Sequence, residues 1–514
     1  MRRSLLGLLA VAAVAFPANA GAAPVLVLGH HGRSAVHNDP FVIGPAVTPA
    51  PAALSSAGVG VGAGVRGAGG RGVGSESPAL ATARAAAKAP AKPKRKRAPP
   101  ITLLSELARL HRARALTAAQ YHGYVAAYHA ALATERRLRG TRRTELTAIT
   151  ETMHTIAASH QLTTSRLPAM FATLAANREW WTTGPLLSAD ERVEFAGSQL
   201  VWEYYPGQGI QLQVLGTFGK ADGLYTGGPA DYPAMEQLLA EMIPLASQRG
   251  GGLTWEYFFT FDGGSPPWTS AMSQATGLEA LTRAYQATSD ARYLNVATRA
   301  LPIFGVAPPV GVNVTTARGT RFLQYTFAPN TAIINAFLQT LIGLYDFAKA
   351  SGNPTAASLF AAGNAEAEAE VPAYNTGAWS LYQPGLEDTL SYHELVTGFL
   401  AQLCTRTAAP VYCTTAQAFQ DDLTTPPVLT QLTRRARTKA GFGLRFRLSK
   451  VSHVGVTITQ GSRTVFATSA SFPHGVDSVA IPRLRQVGAY GVTLAGTDVA
   501  GNFTRITGKV TVTR

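Results

Sequence analysis

Two cysteines, Cys404 and Cys413, are all the thiol this 514-residue chain carries. Two thiols cannot complete a tetrahedral site, and no histidine pair at ligand spacing lies beside them. A cysteine-rich zinc module and a small disulfide-stapled scaffold are therefore excluded, and neither a metal nor a cofactor is expected. Charge is also scarce: Asp, Glu, Lys and Arg make up 15% of the chain, against 50 Gly and 31 Pro, where about a quarter is usual. That balance points away from a cytosolic enzyme of average composition and towards a loop-rich exported or cell-wall protein. Long apolar runs are missing, since no stretch after the N-terminus reaches 18 uninterrupted apolar residues, so no membrane span is expected there. Acidic residues are the rarer sign, 30 against 45 basic for a net +15, and they are unevenly placed. Residues 1–185 hold 22 Lys and Arg against 7 Asp and Glu, residues 186–428 hold 10 against 21, and residues 429–514 hold 13 against 2. Basic ends flank an acidic middle. A basic chain raises nucleic acid as a partner, but no recognition motif supports a specific one, and chemistry is expected in the middle block.

What is present begins with an export pattern. Arg2 and Arg3, an apolar run from Leu5 to Phe16 and Ala18-Asn19-Ala20 read as a secretory signal over residues 1–20, or as an uncleaved anchor. A secreted or cell-surface location follows. In that oxidising compartment Cys404 and Cys413 are expected to pair as a structural disulfide. Residues 21–100 read as a disordered linker rich in Ala, Gly and Pro, because such a composition buries too little apolar surface to offset chain entropy. Its basic end, Lys88 to Pro100, is either a docking segment for an anionic surface or a solvated spacer.

From Ile101 the texture becomes helical. Leu103, Leu104, Leu107 and Leu110 share a face, and further amphipathic stretches run over Leu116–Leu138, Thr144–His160 and Leu167–Arg178. Residues 101–185 thus read as an N-terminal helical region, a bundle or a cap, with no catalytic pattern. Residues 186–428 alternate helices with aromatic, proline-containing loops: Trp202-Glu-Tyr-Tyr-Pro-Gly-Gln-Gly209, then Trp255-Glu-Tyr-Phe-Phe259 with Asp262-Gly-Gly264, and helix stripes such as Ile334, Phe337, Leu338, Leu341 and Tyr345. Paired helices with aromatic loops at one end describe an α/α toroid, an incomplete α/α barrel, so the fold class is mainly α. Residues 429–514 switch to period two: Phe442, Leu444, Phe446 and Leu448 alternate with Arg445 and Arg447. Several short strands in about 85 residues predict an immunoglobulin-like β-sandwich, a module that spaces, anchors or binds glycan.

The stretch Tyr325 to Leu403 resembles the C-terminal domain of the D-glucuronyl C5-epimerase family. The resemblance rests on Tyr325-Thr-Phe-Ala-Pro-Asn-Thr-Ala-Ile-Ile-Asn335 leading into a leucine-rich helix and on Pro372-Ala-Tyr374-Asn-Thr-Gly377-Ala-Trp379-Ser380-Leu-Tyr382. It continues in Tyr392-His393 at the start of the next helix, and upstream in Ser273-Gln274-Ala-Thr-Gly277. With looser matches back to Trp202 it covers about residues 200–405. Three positions differ from the family pattern: Gln324 stands where an acidic residue is usual, Gly385 where an arginine is and Val396 where a second histidine is, and the loop from Tyr382 to Tyr392 is shorter than in the animal enzymes. The resemblance implies inversion at C5 of uronate residues in a polysaccharide, with an acidic polysaccharide as the partner.

That chemistry needs a base on one face of the sugar and an acid on the other, with the neighbouring carboxylate neutralised while enolate charge develops. The candidate catalytic residues are Tyr325, Tyr382 and Tyr392, because a phenol is an acid at neutral pH and a base if a cation lowers its pKa. Arg321, and then Arg318, are the candidates for carboxylate neutralisation. Asn335 is expected to order the Tyr325 segment, and His393, Trp379 and Gln274 complete the substrate-binding set. Two rival readings stand beside this one. One is a uronan lyase or glycosidase on the same toroid, the latter using Glu387 with Glu203 or Glu256 as its carboxyl pair. The other is a non-catalytic cell-wall protein that keeps the toroid as a glycan-binding groove.

Overall fold

A computed structural model describes residues 22–29, 34–43, 100–437 and 440–514. The expected export signal and residues 44–99 of the expected linker lie outside the described residues. The start of that linker does not follow expectation. Strands β1 (Ala22–Leu28) and β2 (Ser34–Ile43) pair antiparallel. The local run Val25-Leu-Val-Leu28 is apolar enough to be buried, although averaging over residues 21–100 conceals it. Val25 and Leu28 are fully or almost fully buried.

Four helices follow: α1 (Leu103–Arg112), α2 (Ala118–Arg137), α3 (Gly140–Ala158) and α4 (Leu167–Thr183). Thr102 and Thr117 start the first two with reciprocal capping boxes to Ser105 and Gln120, which satisfy two otherwise orphaned backbone donors each. Strands β3 (Arg192–Phe195), β4 (Trp202–Tyr205) and β5 (Gly209–Leu212) then extend the first hairpin into one sheet of order β2-β1-β3-β4-β5, with β1 and β3 parallel.

The body is a series of helical hairpins. Helix α5 (Val214–Gly227) pairs with α6 (Tyr232–Met242), α7 (Ala271–Thr288) with α8 (Ala291–Ala300), α9 (Ile334–Ser351) with α10 (Pro354–Glu370), and α11 (Leu390–Thr407) with α12 (Pro410–Asp422). The first members also pack on one another in the order α5, α7, α9, α11. This inner row backed by an outer row is consistent with an incomplete α/α toroid. Two inner helices are enclosed on every side: α7 is buried without a break from Ala271 to Thr282, and α9 from Ile334 to Leu344, polar residues such as Gln274, Glu279 and Gln339 included. Gly343 lets α9 approach closely, because a Cβ there would collide with the backbone carbonyl of Ala275 in α7. Small hairpins join the helices at the end that carries the aromatic loops: β6 (Ser247–Arg249) with β7 (Gly252–Thr254), β8 (Asn313–Thr315) with β9 (Thr320–Phe322), and β10 (Leu381–Gln383) with β11 (Leu386–Glu387). Cys404 and Cys413 are bonded, tying the end of α11 to the start of α12.

The C-terminal region is all β. A sheet of order β12-β14-β17 faces one of order β13-β19-β18-β15-β16. The strands are β12 (Leu429–Gln431), β13 (Arg435–Arg437), β14 (Phe442–Leu448), β15 (Ser452–Gln460), β16 (Arg463–Phe472), β17 (Gly475–Ile481), β18 (Gly488–Asp498) and β19 (Phe503–Thr513). Leu444, Phe446 and Leu448 point into a shared core with Val454, Val456, Ile458 and Tyr490, while Arg445 and Arg447 face solvent. This region is not a module hung on a free tether. Asn502 donates to the carbonyl of Leu423, just past the end of α12, at 2.9 Å, and further contacts tie it to the β10–β11 hairpin.

Candidate active site

The fold brings Tyr325 to Tyr382 and Tyr392, which lie ten residues apart on one hairpin and the helix that follows it. Tyr325 follows β9, Tyr382 lies in β10, and Tyr392 lies in the first turn of α11, whose N-cap Thr389 accepts from the Tyr392 amide. The rings of Tyr382 and Tyr392 lie 5.1 Å apart, tilted at 66°, and Tyr325 hydrogen-bonds Tyr382, which lowers that phenol, and acts electrostatically on Tyr392. Each of the three is 5–7% exposed. Burial is the main cause holding all three phenols above the ordinary value, and their mutual repulsion adds to it. They are therefore protonated at neutral pH.

An aromatic wall flanks Tyr325. Its ring stacks on Phe327 at 5.2 Å and meets Phe261 at 5.5 Å and Trp268 at 5.7 Å. The wall is a hairpin-like loop closed by bridges between Tyr257 and Trp268 and between Phe261 and Gly264. At its tip Asp262 and Gly263 both have positive φ, 44° and 79°, the conformation of a type I′ turn, which favours Asp-Gly. The exposed carboxylate of Asp262 at this tip acts on both Tyr325 and Tyr382.

A second polar group borders the tyrosines from the sheet. Arg192 in β3 and Glu203 in β4 are register partners and form a buried ion pair at 3.1 Å. Glu203 acts on Tyr205, Tyr257 and Tyr392, and Arg192 opposes it at the first two. Tyr257, pushed up to about 12 chiefly by burial, shares a 2.7 Å hydrogen bond with Ser273. The loop after β4 is held from below by the N-terminal helices. Glu145 of α3 accepts from the Tyr204 hydroxyl at 2.9 Å and from the amides of Gly207 and Gly209.

Behind Tyr382 and Tyr392 lies a closed network. Trp379 stacks on His393 with ring centroids 3.7 Å apart. His393 Nε2 lies 2.9 Å from the carbonyl of Phe419, so it carries the proton, and Nδ1 accepts from the Ser380 amide and hydroxyl. Burial pushes His393 down to about 4, leaving it neutral. Ser380 Oγ also lies 2.5 Å from Asp388 Oδ2. Burial raises Asp388 to about 7, so at neutral pH and below it can donate to Ser380, which in turn donates to His393. Asp388 acts on both Tyr382 and Tyr392.

The residues expected to bind substrate have protein surroundings of their own. Arg321 is paired with Glu370 through two hydrogen bonds and faces Tyr374, not the three tyrosines. Burial and then Glu366 raise Glu370 to about 7 despite that arginine. Arg318 is exposed on the same β8–β9 hairpin, and its charge reaches Glu366. Gln274 is fully buried, with its amide bonded to both backbone polar groups of Trp255 and to Thr269. Trp379 and His393 are fully buried and bonded to each other's surroundings. Asn335 is buried in the first turn of α9, and its Oδ1 has no protein partner, so that oxygen does not tie down the Tyr325 segment. The carboxyls considered for hydrolysis are also occupied. Glu256 is locked by Arg166, Arg249 and Ser247, and Glu387 faces the C-terminal sheets. Gly385 has φ 83° in the β10–β11 turn, a conformation that an arginine adopts only with strain.

Sequence reasoning did not single out Asp262, Arg192, Tyr257 or Asp388. The i, i+2 alternation of Arg192 with Glu194 and of Glu203 with Tyr205 signals two strands, but their pairing is a tertiary fact. The Asp-Gly turn signal at residues 262–263 was legible, and its position opposite Tyr325 was not. Among the described residues no group of three or more His, Cys, Asp or Glu is placed to hold a metal.

Helical hairpins that carry a cluster of tyrosines beside an aromatic wall define the class. Within it, residues 249–421 match the family model described as D-glucuronyl C5-epimerase C-terminus. The D-glucuronyl C5-epimerase of Caenorhabditis elegans is 32% identical over 130 residues, 23% of this chain and 21% of that protein. An uncharacterized protein of Methanocaldococcus jannaschii is 32% identical over 138 residues, 25% of this chain and 44% of that protein. The matches thus span about a fifth and under half of these relatives' own lengths. Among solved structures, a sugar epimerase from a ruminal bacterium aligns at TM-score 0.30 and 16% identity over 41% of this chain and 58% of that one. Cellobiose 2-epimerase from Spirochaeta thermophila aligns at TM-score 0.31 and 15% identity over 55% and 72%. Superpositions of that quality carry no argument about function.

Proposed function

We propose that this protein is a secreted carbohydrate epimerase that inverts C5 of uronate residues in an acidic polysaccharide through its clustered tyrosines. The observation that carries the reading is the convergence of Tyr325 with Tyr382 and Tyr392, from two segments within the stretch that matches the epimerase family. The match supports a carbohydrate-modifying enzyme, and the cluster supports proton transfer as its chemistry. Tyr325 lies on the aromatic wall and the Tyr382–Tyr392 pair on the hairpin and helix start, so two separate segments supply phenols to one sugar. The base takes the proton from C5, the electron pair moves into the carboxylate, and the acid on the other side returns a proton, so the count closes over one turnover. All three phenols are protonated at rest, which suits the acid directly. The base needs its proton removed, which solvent does more readily as pH rises, and after each turnover exchange with solvent takes the proton gained by the base and restores the one given up by the acid. Arg192 lies nearer this group of tyrosines than Arg321 does, beside Tyr257, and would have to exchange its partner Glu203 for the substrate carboxylate to steady it.

The test is incubation in D2O with a panel of uronate polysaccharides. Deuterium at C5 with chain length unchanged supports epimerisation. Changing Tyr325, Tyr382 or Tyr392 to Phe keeps the ring and its stacking. Exchange should then fall on the order of 10²–10⁴-fold with glycan binding retained. Wild-type exchange in all three variants would remove the catalytic assignment. A wild-type protein that binds uronans and never exchanges them would be a binding protein.

A further inference from the structure

The geometry points to the C-terminal β-sandwich as a positioning element of the tyrosine site, with Lys450 and the Glu387 clamp holding the β10–β11 hairpin and the start of α11 in register. This rests on the tyrosine reading above for its consequence, but not for its structural content.

Lys450 lies in the turn before β15 and is 1% exposed. Its ammonium is paired with Asp498 at 2.9 Å, donates to the carbonyl of Asp422 at 2.7 Å, and sits 5.2 Å from the centre of the Trp379 ring. Asp422 ends α12, so the lysine supplies a cation to a helix C-terminus, where carbonyls and the dipole favour one. A buried ion pair is costly to desolvate, and a module that only anchors the protein has no use for one against a neighbour's indole. From Lys450 the contacts run inward without a gap. Trp379 stacks on His393, His393 bonds Ser380 and the α12 carbonyl of Phe419, and Ser380 bonds Asp388. Tyr382 lies two residues beyond Ser380, and Tyr392 directly precedes His393.

A second contact holds the same hairpin from its outer side. Glu387 of β11 accepts from the amides of Val451 and His474 at 3.0 and 2.7 Å, and His474 Nδ1 lies 3.0 Å from the same carboxylate. The segment carrying both tyrosines is therefore gripped at Trp379 and at Glu387 by the β-region. The charged and titratable groups facing Tyr382 are Tyr325, Tyr392, Asp388 and Asp262, and those facing Tyr392 are Tyr382, Tyr325, Asp388 and Glu203. None belongs to the sandwich, which acts on the phenols only through this grip.

The experiment uses the full chain with Lys450→Met/Asp498→Asn, which removes both charges so that neither is left buried alone, and separately with the milder Glu387→Gln. Phe446→Leu serves as a control that weakens the sandwich core away from the seam. Folded seam variants should lose about tenfold in the C5 exchange kcat with KM within about twofold, since misplaced groups affect the reacting geometry more than glycan binding. The inflection of their pH–rate profile should also move towards pH 10 as water reaches the phenols. The control should keep the wild-type profile, because lost stability alone lowers the amplitude without moving the inflection. Amide hydrogen exchange over residues 380–393 should quicken about tenfold in the seam variants. Wild-type protection of that segment together with a wild-type pH profile would overturn the proposal. If the wild-type protein exchanges no uronan, the functional reading fails and the hydrogen-exchange arm alone still decides whether the sandwich holds the hairpin.

Discussion

Asp388 shows how one buried residue ties the site to pH. Its carboxyl is raised from 3.8 to about 7 by burial, so the folded protein holds this proton more tightly than the unfolded chain does. The resulting stability is fully present below about pH 3.8 and is lost as pH rises through about 7, a change on the order of 4 kcal/mol. Asp388→Asn should flatten this part of the stability–pH curve and make the protein more stable than wild type at pH 8, measured by urea unfolding at several pH values. The phenols give a prediction of opposite slope for the rate. Because all three sit above the ordinary tyrosine value, the fraction able to act as base grows about tenfold per pH unit below that pKa. C5 exchange should still be climbing at pH 9, and a plateau near neutrality would assign the base to a carboxylate alone. The residue types for this chemistry were legible in the sequence, as were the three tyrosines by their motifs. What each arginine pairs with was not: Arg321 and Arg192 look alike in one dimension. Only the fold shows Glu370 beside the first and the tyrosine-facing Glu203 beside the second.

At the scale of elements, α7 and α9 carry the body, and their contact depends on one missing side chain. Gly343→Ala places a methyl group against the Ala275 carbonyl, and overpacking of this kind should cost about 1–3 kcal/mol in denaturant unfolding, although alanine is the better helix former. The Cys404–Cys413 bridge closes a short loop, with a sequence separation of 9. Replacing both by Ser should lower stability by about 2–3 kcal/mol, with the loss reproduced by reductant on the wild type. Helix periodicity announced α1 to α4, α11 and the apolar stripes of α7 and α9, because striped apolar patterns demand burial, while α5 went unread. Strands β1 and β2 went unread because a short apolar run is diluted by the glycine- and alanine-rich residues around it. The short β6 to β11 hairpins of two or three residues are too brief to carry a period at all.

On the scale of the whole molecule, the two flanking regions act as supports for the site. Glu145 reaches from α3 to Tyr204, Gly207 and Gly209. Glu145→Ala strands three polar donors at a buried or part-buried junction and should destabilise the protein by about 3 kcal/mol or more. It should also loosen the loop that bears Tyr205, which hydrogen exchange over residues 203–213 would register. The sequence by itself determined the order of the regions, the helical character of the body, the alternating strands of the C-terminal block and the tyrosines as candidates. These follow from local periodicity and from residue type, which each segment carries alone. Tertiary structure decided which polar groups face the tyrosines, that Gln274, Trp379 and His393 are buried supports, and that the C-terminal sheets grip the hairpin behind the site. Those outcomes depend on pairings between segments tens to hundreds of residues apart, where burial and the nearest opposite charge, set only by packing, govern what each group can do.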